Sequence, residues 1–274
     1  MSKDVKKLDK PIIALLTDLG VADGYVGAIK GVILEINPDA VVVDVAHCVM
    51  RHEVREAAYV LASTAPYFPS GTIFLCVVDP GVGTERQIIL METEAGRYYI
   101  GPDNGLFTHI GEREGVKRLF EVSNTEYMLR EVSQTFHGRD VMASAAAFLA
   151  KGVKPGEFGP ELTEYVRLSI EAARIEDQRI RGEVLYVDGF GNIVTNIPRE
   201  LLRSLGLAEG MKLRVCIGSF EKPIALCKAY AEVGVGSLLA IVGSADLLEV
   251  SVNQGNAAER LKAKTGMKLK IKRI

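Results

Sequence analysis

The chain has 274 residues, 48% of them hydrophobic and 25% charged, with 33 basic residues against 35 acidic ones. That length points to one large or two smaller domains, and the composition excludes wholesale disorder. The near balance of charge excludes the basic footprint of a nucleic-acid binder, and no apolar run reaches the roughly eighteen residues that a membrane-spanning helix needs.

In chain order, "MSKDVKKLDK" lacks an apolar h-region and predicts no signal peptide. "PIIALLTDL" is a near-continuous apolar run ending in an acid, and reads as a buried strand. "YVGAIKGVILEI" repeats Val26, Ile29, Ile33 and Ile36 at helical spacing. "AVVVDV" is the next strand, and the Ala-rich "EVREAAYVLASTA" is a helix that stops before Pro66. "GTIFLCVVD" is the third strand. "RQIILMET" and "RYYIG", separated by "EAG", predict a hairpin. "RDVMASAAAFLAKG" is a further helix with Gly152 as its stop. Apolar strands alternating with helices imply an α/β domain over 1–154, its central sheet flanked by helices.

The pattern changes after Lys151. "KPGEFGPE" is a Pro/Gly-rich break, and 155–178 reads as a connecting segment that hugs the surface. From Arg181 onward the runs are short and β-like: "GEVLYVD", "NIVTNI", "KLRVCIG", "SLLAIVG", "LLEVSV" and "MKLKIKRI". They predict a smaller, mainly antiparallel β-barrel or sandwich over 179–274. The basic tail "KAKTGMKLKIKRI" alternates Met267, Leu269 and Ile271, and reads as a closing strand with lysines on its wet face. Cys48, Cys76, Cys216 and Cys227 form no CxxC pair and read as reduced core residues of a cytoplasmic protein.

Chemistry-bearing residues gather at the predicted strand ends, where α/β sheets collect ligands. "TDLGVADGY" places Asp18 at the end of the first strand and Asp23 just before the next helix. A carboxylate at Asp18 suits the two hydroxyls of a ribose, whereas Asp23 would serve equally as a helix cap. Two such acids also suit a hard cation, but no third oxygen ligand follows and no metal is expected. "CVVDPGVGTER" drives a core strand into Asp79, with Pro80, Gly81 and Gly83 behind it and Arg86 beyond. Taken alone, that is a turn with a surface ion pair. "TFHGRD" sets His137 before Gly138 and a helix start, whose N–H groups carry partial positive charge. "VDGFGNIVTN" is a Gly-rich hairpin with Asp188 and Asn192 bracketing an aromatic, and Asn192 suits an amino-acid head group. In "SVNQGNAAER", Asn253, Gly255, Asn256 and Ala257 either face a planar base or form the start of a short helix. "GPDNGLF" is a strong turn signal with no chemistry assigned. His47 and His52 lack the further ligands of a zinc site, and one or both are expected to line a pocket.

In this order, "TDLG..D", "DPGVG...R", "GPDNGLF", "FHGRD", "VD.FGNI.TN" and "NQGNAAE" together resemble the S-adenosyl-L-methionine (SAM) hydroxide adenosyltransferases. These are adenosine-forming SAM hydrolases related to the fluorinase and chlorinase enzymes. The likeness runs from Pro11 to about Arg260. It implies an N-terminal α/β domain, a C-terminal β-barrel, and a homotrimer with the ligand between the first domain of one subunit and the second domain of its neighbour. It implies Asp79, Arg86 and His137 as the catalytic set and Asp18 as the carboxylate on the ribose hydroxyls. Asp23, Asp188 and Asn192 would surround the methionine part, Asn256 and Ala257 the adenine, and His52 would lie near the ribose. The halogenases carry Tyr where this chain has Asp79 and His137, a halide-holding Ser at Gly138, and a small hydroxyl residue at Tyr25. These departures imply water rather than a halide as nucleophile, with Gly138 beside it. The expected reaction is in-line attack of an activated water on ribose C5′, giving adenosine and L-methionine. No cofactor is expected, because the sulfonium is already an activated leaving group. Two rival readings are a non-catalytic SAM or adenosine sensor and a metal-dependent phosphohydrolase. A nicotinamide enzyme is disfavoured because no GxGxxG follows the first strand.

Overall fold

The computed structural model describes residues 10–274, so the expectation about a signal peptide rests almost wholly on residues outside those described. Its contacts divide the chain into two compact units, meeting at Leu168/Ser169.

In the first unit, β1 (Ile12–Thr17), β2 (Val41–Ala46), β3 (Ile73–Val77), β4 (Ile88–Thr93), β5 (Tyr98–Pro102) and β6 (Val116–Glu121) form one sheet. Their order among the described residues is β2-β1-β3-β5-β4-β6. β1 runs parallel to β2 and β3, and β3 parallel to β5. β4 is antiparallel to β5 and β6, so the expected hairpin forms across 94–97. Side chains alternate along a strand, and here the alternation feeds two cores. Ile13, Leu15, Ile73 and Leu75 pack with α1 (Tyr25–Ile36) and with the helical run 138–150. Ala14, Leu16, Phe74 and Cys76 pack on the opposite face with α2 (Val54–Thr64) and α3 (Thr108–Glu114). A central sheet flanked by helices is therefore the observed arrangement, and the apolar strands are continuous because both of their faces are dry.

The helix expected from Arg139 starts one residue earlier and begins wide. Gly138–Ala143 forms π-helical turns that pass into α4 (Ser144–Ala150). The stretch 155–178 does not stand apart as a connector. Phe158 is fully buried in the first core. Beyond it, the Val166 and Leu168 amides donate to Asp103 Oδ1 and Thr108 Oγ1, both at 2.8 Å.

In the second unit, β7 (Arg174–Glu176) lies against β8 (Arg179–Val187). β8 continues into a ring with β9 (Ile193–Pro198), β10 (Lys212–Ile217), β11 (Phe220–Cys227), β12 (Leu238–Val242), β13 (Leu247–Val252) and β14 (Lys268–Arg273). β14 pairs with both β10 and β8 and closes the ring into a barrel. Leu269 and Ile271 point into the core, and Lys268 and Lys270 point to solvent, as the tail's alternation predicts. Every neighbouring pair is antiparallel except β11 with β12. Two short helices, α5 (Arg199–Ser204) and α6 (Ala257–Leu261), complete the unit. The cysteines are all unpaired, with Cys76 and Cys227 buried as expected. Cys48 is instead exposed, because it lies in the loop after β2 and not in an apolar strand.

Candidate active site

The register Thr17↔Val77 sets the carboxyl ends of β1 and β3 side by side, so Asp18 and Asp79 leave the sheet at the same rim. Asp18 is 9% exposed, and its Oδ2 accepts the His52 backbone N–H at 2.9 Å. The backbone of His52 is therefore brought to Asp18 while its ring lies exposed, with the residue in the left-handed region at φ 67°. His47 is 8% exposed, with its ring nitrogens beside Thr17 and Asp44. The His47 ring is thus held inside the protein between these two residues. Asp23 is exposed and does not cap α1, whose N-cap is Gly24 with no side-chain hydrogen bond.

The loop after β3 brings a carboxylate, a guanidinium and an imidazole together. Arg86 donates from Nε to Asp79 Oδ1 at 2.8 Å and from Nη2 to Oδ2, a two-point grip. Arg86 Nη2 also lies 3.1 Å from His137 Nδ1. The Arg86 and Asp79 side chains are only 11% and 6% exposed. This is a buried pair and not a weak surface one, and removing one partner of a buried pair costs about 3–5 kcal/mol.

Close packing holds the cluster. Gly83 has φ +77°, and a Cβ there would lie 2.6 Å from the Gln134 carbonyl oxygen. That contact lets the loop of Asp79 lie against the segment that carries His137. At Gly138 a Cβ would sit 2.6 Å from Val77 Cγ1, so the π-helical turns rest directly on β3. Asp140, fully buried, accepts the Ser133 N–H and the Arg139 guanidinium, fixing the approach to His137. Burial, then the charge of Arg86, holds the His137 imidazole below its ordinary pKa against the opposing pull of Asp79 and Asp140. A guanidinium has no lone pair to offer, so the contact with Arg86 requires that His137 Nδ1 accept. In the neutral ring Nε2 then carries the proton.

One contributor had no role in the sequence reading. Asn104 of "GPDNGLF" donates to the Val78 carbonyl at 2.9 Å and accepts from the Leu106 amide at 3.2 Å, anchoring the strand end that delivers Asp79. The turn signal marked the place but not the partner.

In the second unit, Asp188 Oδ1 accepts the Phe190 and Asn192 amides at 2.9 and 2.8 Å, and its Oδ2 accepts from Asn192 Nδ2 at 2.8 Å. The turn thereby holds Phe190 outward, 82% exposed. Gly191, at φ +82°, faces the Asn256 side chain at a separation that leaves no room for a Cβ. Asn256 caps α6, its Oδ1 accepting the Glu259 amide at 2.8 Å, and Ala257 is fully buried behind it. Asp188, Asn192, Asn256 and Ala257 therefore form one neighbourhood. Asn256 also makes the short-helix start that the sequence offered as an alternative.

Residues 13–159 match the model of the SAM hydroxide adenosyltransferase N-terminal domain, and residues 182–270 that of its C-terminal domain. The chain belongs to the SAM hydroxide adenosyltransferase family. It is 38% identical to an (R)-S-adenosyl-L-methionine hydrolase of Thermus thermophilus, over 94% of this chain and 98% of that protein. A fluorinase of Nocardia brasiliensis is 30% identical over 96% and 97% of the two chains. The solved structure of an uncharacterized conserved protein from Thermotoga maritima superposes with a TM-score of 0.92 at 40% identity, covering 95% of this chain and all of that one. Family membership and fold thus agree with the motif resemblance along the whole chain.

Proposed function

We propose that this protein hydrolyses SAM to adenosine and L-methionine, with Asp79, Arg86 and His137 holding the attacking water. The observation that carries the reading is the joined cluster, in which one guanidinium touches both a buried carboxylate and an imidazole. Water oxygen attacks ribose C5′ as the C5′–S bond breaks, and the bond pair leaves on the neutral methionine thioether. Charge is annihilated on the way, so a site that excludes bulk water favours the transition state. Alignment of oxygen, carbon and sulfur supplies on the order of 7–11 kcal/mol.

Each residue has a part suited to its bonding. Arg86, permanently cationic, stabilises hydroxide character on the oxygen. His137 donates to the same oxygen from Nε2–H, because its Nδ1 already accepts from Arg86. Asp79 holds Arg86 in place and, being the member of the three with spare basic lone pairs, takes the proton released by the water. Asp18 accepts the ribose hydroxyls, with His52 beside it. Asp23, Asp188 and Asn192 take the methionine part, and Asn256 and Ala257 the adenine. Gly138 lies beside the nucleophile. A halide-holding serine there would press its Cβ onto Val77, which favours water. No cofactor or metal takes part, and the sulfonium supplies the leaving-group activation. The working unit of this reading is a homotrimer whose sites combine the first unit of one subunit with the second unit of the next. A cytoplasmic setting, without nucleic-acid or membrane partners, accords with the four unpaired cysteines. No helix among the described residues is long and apolar enough to cross a membrane.

The deciding experiment incubates the protein with SAM in oxygen-labelled water and strong chelator. The label is expected in the adenosine 5′-hydroxyl, at a rate that chelation does not change. SAM returned intact would support the sensor reading, and a rate lost to chelator would support the metal-dependent one.

A further inference from the structure

A chain of polar groups runs inward from the surface behind Asp18, and the mechanism above makes no use of it. Lys30, on α1, donates to Asp44 Oδ2 at 2.8 Å. Asp44 Oδ1 lies 2.9 Å from His47 Nε2, an approach bent away from the ideal hydrogen-bond line. His47 Nδ1 lies 3.0 Å from the Thr17 hydroxyl. That hydroxyl accepts the Leu19 amide at 3.3 Å. The His47 carbonyl then takes the Gly20 amide at 2.7 Å. The residue before Asp18 and both residues after it are thus tied to His47, directly or through Thr17.

The direction of the chain follows from its ends. A carboxylate oxygen 2.9 Å from a ring nitrogen repels a lone pair there, which favours the tautomer with its proton on Nε2. Nδ1 is then an acceptor and the Thr17 hydroxyl donates to it. Thr17 is fully buried. Held between Asp44 and Thr17, the imidazole has its orientation fixed. Burial would raise the Asp44 pKa, but its hydrogen bonds to Lys30 and His47 outweigh that and hold it below the ordinary value. The same loop carries His52, whose amide meets Asp18, and its Met50 amide is pinned by Glu56 Oε1 at 3.0 Å.

We propose that His47 is a positioning residue for ribose recognition: with Thr17 and Asp44 it locks the β1 and β2 loops together, so that Asp18 is held where two ribose hydroxyls meet it. This rests on the reading of Asp18 as the ribose carboxylate. His47 touches no substrate and acts only through Asp18.

The test compares kcat/KM for SAM with that for its 2′-deoxy and 3′-deoxy analogues. The wild type is expected to prefer the intact ribose. In Thr17→Val and His47→Leu the preference is expected to fall about 10-fold or more, the scale of a small misplacement of a binding group. His47→Asn, whose amide oxygen can stand near the Nδ1 position, is expected to recover part of it. A general loss of packing would lower turnover of all substrates together. An unchanged preference in folded Thr17→Val and His47→Leu would overturn the proposal while leaving the SAM hydrolase reading intact. If His47→Leu fails to fold, Lys30→Met cuts the chain at its surface end, and a preference there equal to wild type decides against it. A wild-type enzyme indifferent to the ribose hydroxyls would instead sink the role of Asp18 itself, and this proposal with it.

Discussion

Arg86 spends one nitrogen on two neighbours, and that sharing makes the cluster testable residue by residue. Asp79→Ala, Arg86→Ala and His137→Ala are each expected to lower kcat by about 100-fold or more, in the range of lost transition-state donors. Substrate affinity, measured by equilibrium binding, should move only a few-fold. Loss of binding with normal single-turnover chemistry would contradict the assignment. The pH profile has a sign set by the same contacts. The form of His137 that accepts from Arg86 is neutral, and burial followed by the Arg86 charge favours that form. The acid limb of kcat/KM is therefore expected below the ordinary imidazole value of about 6.5, with activity kept as pH falls through that value. Activity lost instead as pH rises through that range would show that His137 works protonated, and an acid limb at or above it would contradict the lowered ring. At this scale the sequence singled out the three residues that the structure joins, Asp79, Arg86 and His137, because each stands in a short motif with glycines around it. Asn104, Asp140 and Thr17 were not legible as supports. Their partners include Val78, Ser133 and His47, and only the fold brings Asn104 to a carbonyl 26 positions away or Thr17 to a ring 30 positions away.

Among the elements, the π-helical turns that lead into α4 carry a clear packing demand. Gly138 allows the turns to touch Val77, and either a Cβ there or a shift of β3 must give way. Gly138→Ala is expected to lower stability by about 1–3 kcal/mol, as overpacked cores do. A thermal melt reads this, and an unchanged midpoint would mean that the strand yields freely. The strongly periodic elements were readable in advance: "YVGAIKGVILEI" forms α1 over its full length, and the Val/Ile-rich strands fall where their apolar runs lie. The missed ones share a cause. β11 carries Pro223 and three exposed positions in succession, so its alternation is blurred and its proline argues against a strand. β6 begins with exposed Val116, Lys117 and Arg118, and the two cations pair with the buried Glu92 of β4. α3 is seven residues long and has Gly111 at its centre, too short for a helical period to show.

For the whole molecule, the family match falls in two blocks, 13–159 and 182–270, while the compact units meet at Leu168/Ser169. Residues 160–168 thus belong physically to the first unit although neither domain model includes them. The composite site of the proposed trimer has its own test. Co-expressed Arg86→Ala and Asn192→Ala chains each damage a different half of that site. Mixed cyclic trimers then hold one intact site in three, and activity of about a third of wild type per mixed trimer is expected. No regain over either parent in such mixtures would place both halves in one subunit. The closure of the barrel also bears on how the protein is made. The strand that seals it, β14, is the last of the ring in chain order and fits between β10 and β8. During synthesis the second unit therefore stays an open sheet with two unsatisfied edges until residues 268–273 leave the ribosome, whereas every residue of the first core has emerged long before. The interval between those events is when nascent chains would be captured edge to edge by their neighbours, and when a chaperone would matter most.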